Sequence, residues 1–324
     1  MKYLLPYKVF ESESQNKSDY NEEWEKLSFE DKKSKLFSIY PAIPLEKRAA
    51  AVAIDKIRRA EGSEISNIED NRIDFPDRKL IDKLRWNQYF TSLMESKEIR
   101  GHNFEGLIAG LYGAKFTKPG ERGDLEIESE SGADKKIISV KSLNSKSESP
   151  VLGSVFDSLS EDQIKRINGR SIQQVYNQNK QDEEDLRESI WQSGFGGKNH
   201  VDYFLIAYFT EKTKKSSGTI FINIFSNKEM FDFVCSKGGL NAAKNKGQIY
   251  QFRVSSTYKD VKQSPIAIKI PEITEKDLND IWNVTARNWG KYVFGKEISR
   301  KMRTDTIEDI IDNKGDISKR MSDS

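Results

Sequence analysis

The sequence predicts an α/β protein: a mixed β-sheet flanked by helices, with helical additions at both ends. Three observations predict it. Apolar residues recur at helical spacing through the first hundred positions, short β-branched and aromatic runs bounded by glycine and polar turns fill the middle, and helical spacing returns from Thr274 onward.

Taken in order, residues 19–40 carry Trp24, Leu27, Leu36 and Phe37 at roughly helical spacing among many charges, which predicts an amphipathic helix broken near Ser28. Pro44 opens a second helix that runs to Ala60 and stops at Gly62. Pro76 opens a third, with the stripe Leu80, Leu84, Tyr89 and Leu93. A fourth helix over 103–112 ends at Gly113, and the pattern then changes to strands at 114–117, 123–128 and 136–141, the last two joined by a turn containing Gly132. A serine-rich connection over 142–160 leads to helical segments near 161–177 and 181–193. Apolar strands follow at 201–210 and 219–225, then a helix at 228–235. Strands at 249–255 and 266–270 are expected to extend the same sheet. This divides the chain into a helical region at 1–98, a core at 99–271 and a helical region at 272–324 whose end frays. No internal repeat is visible.

Composition sets the class. Of 324 residues 36% are hydrophobic and 32% charged, with 17 Phe, 12 Tyr and 5 Trp, enough bulky apolar material to bury a core. The net charge of +2 excludes polyanion binding by bulk charge, so any nucleic-acid surface has to arise by sorting charges onto one face. The single cysteine, Cys235, sits in an apolar run, which excludes a disulfide framework and a thiolate cluster and points to a reducing compartment. No stretch approaches the roughly 20 apolar residues of a membrane span, and Tyr3-Leu-Leu-Pro-Tyr7 is too short for a signal peptide, so the expected location is the cytoplasm, with no membrane partner.

The informative stretch runs Phe104-Glu-Gly-Leu-Ile-Ala-Gly-Leu-Tyr-Gly113, then Gly123-Asp-Leu-Glu126, then Ile138-Ser-Val-Lys141. Its order is helix acid, strand acid, strand lysine. Carboxylates converging on one point hold a hard cation such as Mg²⁺. The cation lowers the pKa of its bound water and neutralises charge developing on a phosphate, while a lysine beside it positions that water or the phosphate. Asp124 opens one strand and Lys141 closes the next across a hairpin, so the two can meet at one end of the sheet. Glu105 comes from the helix before them, whose Leu107, Ile108 and Leu111 would pack onto the same sheet.

This segment, about residues 100–145, resembles the core of the PD-(D/E)XK nuclease superfamily, the restriction-endonuclease-like fold. The Phe-Glu helix ending in Gly is similar to the corresponding helix of its Mrr-like members. The resemblance implies Glu105, Asp124 and Lys141 as catalytic residues, with Asp124 on the metal, Mg²⁺ as cofactor and Mn²⁺ as its substitute. Where the family has an acid two positions before the lysine, this chain has Ser139. The second ligand would then come from elsewhere: Glu161, a displaced acid from the following helix; Glu126, which shares a strand face with Asp124; or Glu148.

Each residue also has a plainer reading. Asp124 after Gly123 suits a turn, Lys141 an exposed strand end, Glu105 the first turn of a helix, and Glu161 a capping box with Ser158. His102 and His200, the two histidines, are too few for a histidine metal cluster, and Gly194-Phe-Gly-Gly197 lacks the ending of a phosphate loop. Lys212 to Lys215 reads as solvated surface. Arg287, Lys291, Arg300 and Lys301, interleaved with Trp289 and Tyr292, are candidate DNA contacts.

The expectation is therefore a Mg-dependent endonuclease that hydrolyses DNA, its helical ends serving dimerisation into a homodimer or target recognition. The alternative is a catalytically decayed nuclease fold with a structural or DNA-binding role. The opening Met1-Lys-Tyr-Leu-Leu-Pro-Tyr-Lys-Val-Phe-Glu-Ser-Glu13 resembles those of large tailed-phage proteins. That would make phage head proteins partners, and the location the host cytoplasm or the virion.

Overall fold

The computed structural model describes residues 24–95, 100–128, 134–143, 180–197, 200–210, 218–236, 240–245, 248–254 and 265–294. It divides into two units. One comprises 1–42, 77–88 and 271–324; the other comprises 43–76 and 89–270.

The first unit is helical among its described residues. Helix α1 (Phe29–Ile39) begins at Ser28, whose hydroxyl accepts from the Asp31 amide, so the break expected near Ser28 is an N-cap. Apolar residues from three distant stretches make one core: Trp24, Leu36 and Tyr40; Ile81 and Leu84, from the first half of α3 (Leu80–Glu95); and Leu278, Ile281 and Trp282, from α7 (Glu275–Phe294). Trp24 and Trp282 stack with centroids 4.5 Å apart, and the Trp24 indole donates to Asn279 Oδ1 at 2.7 Å.

In the second unit, α2 (Lys47–Ala60) packs on α4 (Arg100–Tyr112). The phrase Gly106-Leu-Ile-Ala-Gly110 makes this possible. A Cβ at Gly110 would lie 2.6 Å from Ile54 Cβ, and one at Gly106 2.8 Å from Lys47 Cα, so only glycine lets the helices approach this closely. The Glu46 side chain caps α2 by accepting from Arg48 and Ala49. The helix expected to open at Pro44 thus begins three residues later.

Behind these helices lies a six-stranded mixed sheet of order β1-β2-β3-β4-β5-β8. Its strands are β1 (Lys115–Phe116), β2 (Leu125–Glu128), β3 (Lys135–Leu143), β4 (Tyr203–Thr210), β5 (Thr219–Ser226) and β8 (Ile266–Lys269). Neighbours are antiparallel except β3 and β4, which run parallel. One face carries Phe204, Ile206, Tyr208 and Phe225, packed with Leu186 and Ile190 of α5 (Lys180–Gly194) and Met230 and Phe233 of α6 (Asn227–Cys235). Side chains alternate along a strand, so Leu205, Ala207 and Phe209 line the other face, where Phe104 of α4 meets Phe209 edge-on at 5.7 Å.

One strand departs from expectation. The segment expected at 249–255 is β7 (Gln248–Val254), and it pairs with β6 (Leu240–Asn245) in a separate two-stranded sheet. Asn245 and Gln248 are partners across Lys246-Gly247, and two strands joined by so short a connection pair with each other before any third strand can compete. The segment expected at 161–177 lies outside the described residues. Among the described residues, no helix is long and apolar enough to cross a membrane.

Candidate functional site at the β2–β3 hairpin

Gly123 sets the site. Its φ of +73° is a left-handed value, and a Cβ there would lie 3.0 Å from the Ile138 carbonyl oxygen, so glycine alone lets the chain turn this close to β3. The chain then enters β2, with Leu125 opposite Ile138. Asp124 precedes the strand, and its amide donates to Ile138 O at 2.8 Å. Lys141 lies two residues short of the end of β3, which runs on to Leu143.

The Asp124 carboxylate gathers three donors on one oxygen. Oδ2 accepts from the Val140 amide at 2.6 Å, from Ser139 Oγ at 3.3 Å and from Lys141 Nζ at 3.4 Å. Past Leu125 the turn at Gly123 removes the partner strand, and the carboxylate takes the place of the carbonyl that would have received the Val140 N–H. Oδ1 accepts no hydrogen bond from the described residues. Ser139 is 8% exposed, so its hydroxyl is held in place, whereas the Asp124 and Lys141 side chains are 24% and 30% exposed and reachable from solvent.

The other candidates go elsewhere. Glu126 shares the face of Asp124, as expected for residues two apart, but its Oε1 takes Lys135 Nζ at 2.9 Å. Glu105 sits on α4, the helix against the opposite face, and its side chain is 10% exposed. Its Oε2 accepts from Lys47 Nζ at 2.8 Å and its Oε1 lies 3.6 Å from His102 Nδ1. It shares no bond with Asp124 or Lys141. Glu148, Glu161, Arg300 and Lys301 lie outside the described residues. Arg287 and Lys291 fall on α7, with their side chains outside the described set.

Three features were missed in the sequence: the Ser139 hydroxyl as a partner of Asp124, Lys47 as the counter-charge of Glu105, and Asp202. Asp202 Oδ2 accepts from the Ile137 amide at 2.7 Å while Oδ1 lies 3.2 Å from His200 Nε2, so a second aspartate caps β3 from the β4 side. An aspartate directly before an apolar strand was the available signal, and it reads equally as an ordinary turn residue.

Among the described residues, no three His, Cys, Asp or Glu side chains gather as a metal group. The donor set still fits one hard cation, because Mg²⁺ keeps several of its waters and is commonly held by one or two carboxylates with substrate phosphate oxygens. Asp124 Oδ1 is the oxygen available to it. No family model matches the chain, and no curated protein matches it either.

Proposed function

We propose that this chain is a metal-dependent endonuclease of the PD-(D/E)XK kind, hydrolysing DNA phosphodiester bonds with Mg²⁺ or Mn²⁺. The observation that carries the reading is the 3.4 Å approach of Lys141 Nζ to Asp124 Oδ2, with both side chains solvent-accessible at one end of a hairpin. The order of elements, a helix bearing Glu105, a β-meander, a further helix and a parallel fourth strand, supports the restriction-endonuclease-like assignment.

In this reading Asp124 holds the cation through Oδ1. A bound Mg²⁺ would lower the pKa of its water and offset charge on the phosphate. Lys141 needs no large movement to reach a phosphate oxygen or the attacking water, and its ammonium gives up one shared acceptor when it does. Glu126 can become a second ligand by releasing Lys135, an exposed partner whose loss costs little. Glu105 is paired with Lys47 on the helix against the opposite face, which makes Glu126 the better placed of the two. Arg287, Lys291, Arg300 and Lys301 would add phosphate contacts.

The test is conversion of supercoiled plasmid to nicked or linear DNA in Mg²⁺ or Mn²⁺. Wild type should cut, Asp124→Asn should not, and cutting by both proteins alike would end the assignment. A second reading, a nuclease fold retained for structure, draws on the bond from Val140 N to Asp124 and on its counterpart at Asp202, because capping β3 explains both aspartates without chemistry. Wild-type protein that neither nicks DNA nor binds divalent cations would establish it.

A further inference from the structure

The three donors on Asp124 are unequal, and their difference assigns a part to Ser139. The Val140 N–H is fixed by the strand, so its 2.6 Å bond sets the position of Oδ2. One hydrogen bond still leaves Oδ2 free to swing about the Val140 N–H, and the rest of the carboxylate with it. Lys141 does not prevent this, because a long and partly exposed side chain at 3.4 Å follows the carboxylate wherever it turns. Ser139 does. Its hydroxyl reaches Oδ2 at 3.3 Å from a short, buried side chain on the adjacent β3 residue, giving the carboxylate a second fixed donor.

We infer that Ser139 is a positioning residue whose hydroxyl, with the Val140 N–H, anchors Asp124 by Oδ2 so that Oδ1 alone meets a single divalent cation. The inference rests on the nuclease reading for its ligand, and on the hydrogen bonds alone for the anchoring. Hydrogen-bonded supports of a ligating carboxylate typically change metal affinity by roughly 10–100-fold when removed. A hydroxyl also contributes no charge, so the pair Asp124 and Ser139 presents one negative charge where two acids would present two. That favours one cation over a bridged pair.

Two measurements on the full chain test this without reference to cleavage. In the cation-free protein, amide exchange at Val140 reports how firmly Oδ2 is held; in Mn²⁺ titrations followed by electron paramagnetic resonance, affinity and stoichiometry report on Oδ1. Ser139→Ala should speed Val140 exchange several-fold and weaken Mn²⁺ by about tenfold, Ser139→Thr should restore both, and Asp124→Asn should remove one Mn²⁺ per chain. Ser139→Cys, a slightly larger side chain with a weaker donor, should fall between. Val140 exchange that is the same in wild type, Ser139→Ala and Ser139→Cys would overturn the positioning role, and loss of two Mn²⁺ in Asp124→Asn would overturn the single-cation site. If wild type binds no Mn²⁺, the nuclease reading fails, and the exchange comparison still decides what Ser139 does.

Discussion

At the scale of residues, Asp124 carries both a structural and a chemical load, and its substitutions should separate them. Asp124→Ala leaves the Val140 N–H without its acceptor, which should cost about 1–3 kcal/mol in chemical denaturation, while Asp124→Asn retains an acceptor oxygen and should lose less. The sequence suggests that a strand-end carboxylate can be removed at little cost; the bond to Val140 is what that view lacks, because a side chain standing in for a missing strand has no sequence signature. Lys141→Ala should leave divalent-cation binding near the wild-type value by calorimetry and slow plasmid cleavage by on the order of 10²-fold. A large loss of binding with unchanged turnover would reverse the roles assigned. The proximity of Asp124 and Lys141 was legible, since Gly-Asp followed by a strand ending near a lysine constrains both to one hairpin end. The tie between Glu105 and Lys47 was not, since it joins residues 58 apart on separate helices.

Among the elements, the contact between α2 and α4 gives a contrast within one helix. Gly106→Ala and Gly110→Ala would each force a methyl into backbone or into Ile54 and push the helices apart, at a cost of about 1–3 kcal/mol or more. Gly101→Ala, whose Cβ would meet only Ser142 Oγ at 3.9 Å, should be neutral or slightly stabilising. Thermal melts of the three variants compare them directly, and equal losses at all three positions would show that helix propensity outweighs the close approach. The strands of the main sheet were legible because apolar runs and turn residues are local signals. That α2 belongs with the sheet was not, because two glycines in α4 show what they accommodate only once the partner helix is known. Pairing of β6 with β7 was overlooked for a different reason: 249–255 was expected to extend the main sheet and no strand was expected at 240–245, so the partner it joins was missing from the reading.

For the whole molecule, the helical unit draws its core from stretches far apart in sequence, with Trp24 and Asn279 hydrogen-bonded across 255 residues. Trp282→Ala removes the stacked partner of Trp24 and should destabilise by about 3–5 kcal/mol, with hydrogen exchange rising in α1 as well as in α7. A rise confined to α7 would show that α1 holds without it. Alkaline pH acts on the other unit. Burial raises the Cys235 thiol to about 12 and pushes Tyr89 and Tyr112 well above the usual phenol range. The unfolded chain releases these protons first, so the stability they contribute is complete below about pH 9 and is lost as pH climbs toward 12. Denaturation midpoints should fall through that window, and at pH 8 thiol reagents should modify Cys235 only as fast as the protein opens. The parallel pairing of β3 with β4 has a further consequence, for synthesis. The β1–β3 meander leaves the ribosome first, but everything between Leu143 and Tyr203 must be translated before β4 can join it. At about 5–20 residues per second, Ile137 and Leu143 wait several seconds for their apolar partners, an interval in which a nascent chain is open to chaperones.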